Sequence, residues 1–362
     1  MAAVSGLVAG APAHAATARG APASTSEVAR VATLPNDPMD PIADARDANA
    51  GPLSGALVVT RDLENLRRIY VDGVGLKMTG PLALTPAQRE AQRRLWQMPE
   101  GLGWQTWMLT RPATPDAIRV LVIVPDVDTP VMRRSHDREE TGPYALGFPM
   151  RDVRAVDPRI TALGFRRTLP AVNEYPLQRR DGTEYPVIEA SYEIADNTRL
   201  VLMQRGGGMK PTGSIDPATG LGGPGYSSLV VDDAAAMERF FTEVLDYERR
   251  TRREWTVFSP RFRYVTLHAK GATTGNLGLV EYDPADRKPS TGVAPRPPNR
   301  GLAGWTFPVR RLDETLRRAA EQGATRLAGP MQVDDPRFGR VRIATLLAPN
   351  GLLVEVFEAP AR

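Results

Sequence analysis

The 362-residue chain contains no cysteine. That excludes disulfides, thiolate metal sites and a cysteine nucleophile. Histidine is nearly as scarce: His14, His136 and His268 are the three present, too few for a poly-histidine metal site within one chain. No apolar run approaches the roughly 18 residues that a membrane-spanning helix needs, so no membrane partner is expected. No lysine or arginine run marks a nucleic-acid surface either. The 46 basic and 42 acidic residues are interspersed and leave a net charge of +4, a mixed, solvated surface. Several signatures are also missing. There is no Gly-x-Ser-x-Gly elbow and no dinucleotide fingerprint after a strand. The glycine cluster is no phosphate loop, because Lys210 is followed by Pro211 and no helical pattern opens after it.

What is present is a phrase repeated four times: a short apolar strand, an acidic or polar turn, then an amphipathic helix. The copies start at Gly55, Tyr144, Tyr226 and Gly304. A spacing of about 80 to 90 residues is longer than a solenoid period, so each copy is a small α+β module. In the first copy Leu57 and Val59 alternate as in a half-buried strand. Asp62 is placed to cap the helix carrying Leu63, Leu66, Ile69 and Tyr70. The stretch from Thr85 to Arg94 is a polar insertion with helical character. The third copy has the strongest helix, with Met237, Phe240, Phe241, Val244 and Leu245 on one face. Strands are predicted at Phe262–His268 and Asn276–Tyr282. Asn350-Gly351 between two apolar runs predicts a hairpin.

A length of 362 residues suits two domains. Residues 1–51 lack periodicity, are rich in Ala, Gly and Pro, and read as disordered. Within them a short apolar run, Leu7 to Ala11, precedes Ala13-His14-Ala15, a small-x-small pattern like a secretory cleavage site after Ala15. No basic residue precedes it, and export and a cytoplasmic location are both left open. The glycine-rich segment 206–225 reads as the linker between domains. The expected units are therefore 52–205 and 226–362, each a pair of adjacent modules. Residues 126–142 and the proline-rich 283–300 read as connectors.

The phrases Leu57-Val58-Val59-Thr60-Arg61-Asp62-Leu63, Leu229-Val230-Val231-Asp232-Asp233 with Phe240-Phe241, and Pro349-Asn350-Gly351-Leu352-Leu353-Val354-Glu355-Val356 resemble the vicinal oxygen chelate superfamily. Its members include glyoxalase I, extradiol dioxygenases, epimerases and antibiotic-binding resistance proteins. The resemblance covers about Leu53 to Phe357. It implies an α+β fold of four βαβββ modules, paired into two cup-shaped, incompletely closed barrels. It also implies a divalent metal held by first-strand His or Gln and last-strand Glu. Those first-strand positions fall near Gly55, Ala145, Tyr226 and Gly304, and the last-strand position of the second module near Leu202. Module four alone keeps a carboxylate, Glu355. Glu281 or Leu279 takes that place in module three. One carboxylate does not hold a catalytic metal, so no cofactor is expected.

The residues then point to an enclosed apolar or aromatic small molecule, with the C-terminal pair as the site. The catalytic candidates are Glu355, Tyr226 and His268. Glu355, if it faces the cup, would be poised by desolvation as an acid or base. Tyr226 would offer a phenol to a substrate oxygen, and His268 would shuttle a proton. Trp305, Phe307, Tyr264 and Glu281 are the candidate substrate-binding residues. The leading expectation is a metal-independent isomerase or lyase acting at a carbonyl or phenol. The alternatives are a non-catalytic binder of the bleomycin-resistance type and, more weakly, a metal-dependent dioxygenase or lyase. Four modules complete both cups within one chain, so a monomer suffices and a homodimer is not required.

Overall fold

The computed structural model describes residues 48–178, 183–255 and 261–359. The alanine-rich leader and its cleavage pattern lie outside the described residues. Module one runs β1 (Gly55–Val59), α1 (Leu63–Arg67) continuing into a π-helical turn (Arg68–Gly73), β2 (Lys77–Thr79), the inserted α2 (Pro86–Trp96), β3 (Trp104–Thr110) and β4 (Arg119–Pro125). Module two holds β5 (Gly142–Pro149), α3 (Val153–Ala162), β6 (Asn173–Gln178), β7 (Glu184–Ile194) and β8 (Thr198–Arg205). Module three holds β9 (Tyr226–Val230), α4 (Ala234–Leu245), β10 (Glu248–Trp255), β11 (Phe262–His268) and β12 (Asn276–Tyr282). Module four holds β13 (Gly301–Pro308), α5 (Leu312–Glu321), β14 (Thr325–Asp335), β15 (Gly339–Leu347) and β16 (Leu353–Glu358).

Local chemistry explains the elements. Asp62, Asp152 and Asp233 each accept a backbone N–H three residues on, capping α1, α3 and α4, which is the usual role of an N-cap carboxylate. α2 opens on a capping box between Thr85 and Gln88 with Pro86 in its first turn, so an insertion of polar sequence still makes a firm helix. Asn350 accepts the Leu352 N–H at 3.2 Å, and Gly351 takes a positive φ of 81°, forming the turn that joins β15 to β16.

The modules do not pair as sequence neighbours. One eight-stranded sheet has the order β14-β15-β16-β13-β1-β4-β3-β2, and the other β10-β11-β12-β9-β5-β8-β7-β6. Module one therefore closes a cup with module four, and module two with module three. The expected pairs 52–205 and 226–362 are not the paired units. The joining seams are β1 against β13 and β5 against β9, both antiparallel. All four seam strands are almost wholly buried along their length, so alternation alone does not say which edge meets which.

Segment 206–225 is also more than a tether. Gly225 donates to Gly147 O at 2.8 Å, Gly222 to Pro149 O at 2.9 Å, and Leu221 bridges Met150. The boundary at residue 51 shifts as well. Asn49 donates to Asp246 and Thr315 and accepts from the backbone of Arg310 and Arg311, tying modules three and four together. The outer faces of both sheets and the module helices share one core, in which Phe240, Phe241, Trp305 and Phe307 are fully buried. Among the described residues no helix is long and apolar enough to cross a membrane.

Candidate active site

The two cups differ in what fills them. The first is closed by its own chain. Leu95, Trp96 and Met98, at the end of α2, pack among Leu57, Leu121 and Ile343. Gln97 adopts a left-handed conformation (φ 53°), which turns the chain back so that Met98 also enters the cup. Glu355 stands on the inner face of β16, opposite Thr306 of β13, and is 0% exposed. Trp96 Nε1 donates to its Oε1 at 2.7 Å, and Thr306 Oγ1 donates to its Oε2 at 2.6 Å. The Arg337 guanidinium reaches the same Oε2 at 2.9 Å and also holds Asp335 at 2.8 Å. Burial alone would lower the Arg337 pKa, but Asp335 and Glu355 outweigh it and leave it raised. Both oxygens of Glu355 are thus engaged by protein groups. The carboxylate that the sequence offered as an acid or base is the centre of a sealed, hydrogen-bonded ion pair.

The second cup is open. It encloses about 690 Å3, lined by tyrosines from five strands and by Glu189, Arg199 and Asn276. Tyr226 lies on β9 facing inward, 6% exposed. Its ring lies across Gly147 of β5, where a Cβ would stand 1.9 Å from Tyr226 Cζ. Only a residue without a side chain permits that approach. The Tyr226 hydroxyl has no hydrogen-bond partner among the described residues. Burial raises its pKa well above the ordinary value, and the charge of Glu189 adds to the rise, so the phenol keeps its proton. Glu189 projects from β7 into the same cavity and accepts from Tyr175 Oη at 3.0 Å. Burial raises its pKa, opposed by the Tyr175 hydrogen bond and the Arg199 charge.

The rim is cationic and aromatic. Arg133 and Arg199 lie 5.4 and 5.8 Å from the centroid of the Tyr144 ring, within cation–π range. Burial lowers the pKa of both, that of Arg133 to about 10. The two connectors meet beside this rim. Asp137 pairs with Lys288, and the backbones of Glu139 and Thr141 bond to Lys288. Asp137 and Glu139 line the cavity, so segment 126–142 contributes part of the wall.

The sequence candidates separate accordingly. Tyr226 and Tyr264 line the second cavity. His268 is at the end of β11, 1% exposed, and burial with the charges of Arg250 and Arg205 holds its pKa well below the ordinary value. Glu355 is in the other cup, so the combination of Glu355 with Tyr226 is not realised. Trp305 and Phe307 face away from both cavities. Trp305 donates to Ser227 Oγ at 2.9 Å, and both rings pack on Phe241. Glu281 also faces outward, accepting from Arg263 at 3.1 Å and from the Ala234 N–H at the start of α4. In β8 the inward residues are Val201 and Met203, not Leu202. Glu189 was missed. Its signal is the alternation of β7, where Ile188, Ala190 and Tyr192 face the core and Glu189 and Ser191 face the cavity.

A metal of the superfamily's kind does not fit either cup. In the first, an arginine guanidinium already occupies the ground beside Glu355. In the second, the corresponding inward positions are Gly147, Val201, Tyr226 and Val280, which offer a phenol and no set of ligands. Among the described residues no group of three or more His, Asp or Glu is arranged to hold an ion.

Four βαβββ modules closing into two cups define the vicinal oxygen chelate fold, and this chain has it. Among solved structures the chain is similar to glyoxalase I from Zea mays, with 14% identity, a TM-score of 0.54, and coverage of 87% of this chain and 94% of that one. A mutant of the same maize enzyme matches with 15% identity and a TM-score of 0.56 over 87% and 94%. A candidate dioxygenase from Bacillus subtilis matches with 10% identity and a TM-score of 0.51 over 87% of each chain. At these identities the likeness is one of fold. No protein-family model matches the chain, and no curated protein matches it.

Proposed function

We propose that the protein binds a small aromatic or apolar molecule bearing a carbonyl or phenol oxygen in the second cup. There it moves a proton on that molecule without a resident metal, as an isomerase- or lyase-type enzyme. The observation that carries this reading is the buried, unpartnered Tyr226 hydroxyl facing a 690 Å3 cavity. A phenol that keeps its proton donates a hydrogen bond to a substrate oxygen and stabilises the negative charge that grows there when an adjacent C–H is deprotonated. Glu189 supplies the base. Its raised pKa brings it nearer to neutrality, where a carboxylate takes up and returns protons most effectively. The role expected of Glu355 passes to Glu189.

The test is exchange chemistry, which needs no knowledge of the natural substrate. Aryl ketones with an enolisable C–H are incubated with the protein in D2O, and loss of the proton signal is followed by NMR. Exchange faster than buffer is expected, reduced by about 100-fold or more in Glu189→Gln. Tyr226→Phe is expected to weaken ketone binding by roughly 10-fold. Failure of every aryl compound to bind would sink the reading. Binding without exchange would instead favour a sequestering protein of the bleomycin-resistance type, for which the aromatic lining of the cup is the supporting observation.

A further inference from the structure

Resting on the reading that the second cup is the working site, we infer that one wall of that cup reads an amide edge, so that the ligand is a neutral cyclic or primary amide on an aromatic body. Asn276 on β12 is the ladder partner of Tyr226 on β9, and both line the cavity. Neighbouring strands run about 4.8 Å apart, so the carboxamide and the phenol stand side by side. Two residues on from Asn276, Gly278 faces the same way. A Cβ there would stand 2.6 Å from Tyr264 Oη and 3.0 Å from Ser228 Oγ. Both of those residues line the cavity, which marks this face of β12 as the inward one.

Asn276 is 2% exposed. Its Oδ1 and Nδ2, like Tyr226 Oη beside them, have no hydrogen-bond partner among the described residues. Buried Thr212 brings a further unpartnered Oγ1 to the same cavity. Buried polar atoms are nearly always bonded, so these groups are hydrogen-bonding capacity directed at a ligand. An asparagine side chain presents one acceptor and one donor side by side. A single ligand group satisfies both only if it carries its own N–H and C=O on the same side, as a lactam, a cyclic imide or a primary carboxamide does. Its carbonyl oxygen, with two lone pairs, then accepts from Asn276 Nδ2 and Tyr226 Oη together. A ligand with a carbonyl alone leaves Asn276 Oδ1 buried without a donor, which is the costly arrangement.

Charge does not choose the ligand. Four carboxylates and three guanidiniums line the cavity. Asp137 pairs with Lys288, Glu139 with Arg138 at 3.1 Å and Glu174 with Arg154, while the charge of Arg199 bears on Glu189. With the charges of the wall near balance, an ionised ligand gains nothing there to offset the loss of its water. Recognition falls to the pattern of donors and acceptors, which in Asn276 is that of an amide.

The experiment is isothermal titration calorimetry of the full chain with two probes of one shape, the lactam hydrocarbostyril and the ketone 2-tetralone. They differ at the position next to the carbonyl, which is N–H in the lactam and a methylene in the ketone. The lactam is expected to bind at least about 10-fold tighter. Asn276→Leu should cut that advantage below about 3-fold, with Asn276→Ala in its place if the leucine variant does not fold. Tyr226→Phe should weaken both probes alike and keep their ratio, because both present the same carbonyl to the phenol. Equal binding of the two, tighter binding of the ketone, or an advantage that survives in a folded Asn276 variant overturns the amide edge and leaves the cup reading standing. Binding of neither probe takes down the cup reading, and this inference with it.

Discussion

Trp96 and Glu355 are 259 residues apart in the chain, yet the indole N–H meets the carboxylate at 2.7 Å. That contact joins the inserted helix of module one to the last strand of module four and closes the first cup. The carboxylate placed where the superfamily keeps a metal ligand is here a structural anchor.

Replacing Glu355 by Leu should therefore cost stability rather than chemistry. It leaves the buried Arg337 with Asp335 as its remaining carboxylate, and breaking a buried pair from one side costs about 3–5 kcal/mol. Urea denaturation measures the loss, and aryl-ketone binding by the folded variant should be unchanged. Intact stability with lost binding would return Glu355 to the reaction.

Gly147→Ala tests the placement of Tyr226. The added methyl would need the space of the phenol ring, with 1.9 Å between Cβ and Cζ. Overpacking of this kind costs about 1–3 kcal/mol, relieved by expelling the ring from its place. Ketone affinity should fall by roughly the factor expected for Tyr226→Phe, about 10-fold. A variant that binds like wild type would show that the hydroxyl is not a ligand contact.

Glu189 makes stability fall as pH rises. Its folded pKa is raised by burial, while the unfolded chain titrates near the ordinary value of about 4.3. Between the two values the folded protein holds more protons, so the slope of stability with pH is negative. The favourable contribution is complete below the unfolded value and is lost as pH rises through the folded one. Urea melts from about pH 4 to about pH 8 should show Glu189→Gln gaining on wild type as pH rises. Parallel curves would mean that Glu189 is as well solvated in the fold as in the unfolded chain.

The crossed pairing of modules predicts the fate of a split chain. Residues 1–205 lack β13 for β1 and β9 for β5, and residues 206–362 lack the complements. Each half alone should show little fixed structure by circular dichroism and should aggregate, because both seams become exposed apolar edges. Mixing the halves during refolding should restore the native spectrum. A cooperative melt from residues 1–205 alone would contradict the pairing.

The repeat, its elements and the fold class were legible in the sequence. Period-2 and period-3.6 patterns, the capping aspartates and the Asn350-Gly351 turn report local geometry, which neighbouring residues decide. Strands β11 and β12 were legible to their ends for that reason. The inward face of a strand was legible only where its alternation was clean. Tyr264 and Tyr226 were found, whereas Trp305, Phe307 and Glu281 were placed in a cavity that they face away from. Glu189, a single acid in an alternating strand, carries the same signal as a solvent-facing residue, because burial comes from strands far away in the chain.

By itself the sequence determined four α+β modules without thiolate or histidine clusters, since composition and short-range periodicity are properties of neighbouring residues. Tertiary structure decided which modules share a cup, that Trp96 and Arg337 seal one of them around Glu355, and that Tyr226 and Glu189 line the cavity of the other. Those outcomes depend on which apolar edges pair and on which polar atoms burial leaves without water. Long-range packing sets both, and no local pattern encodes them.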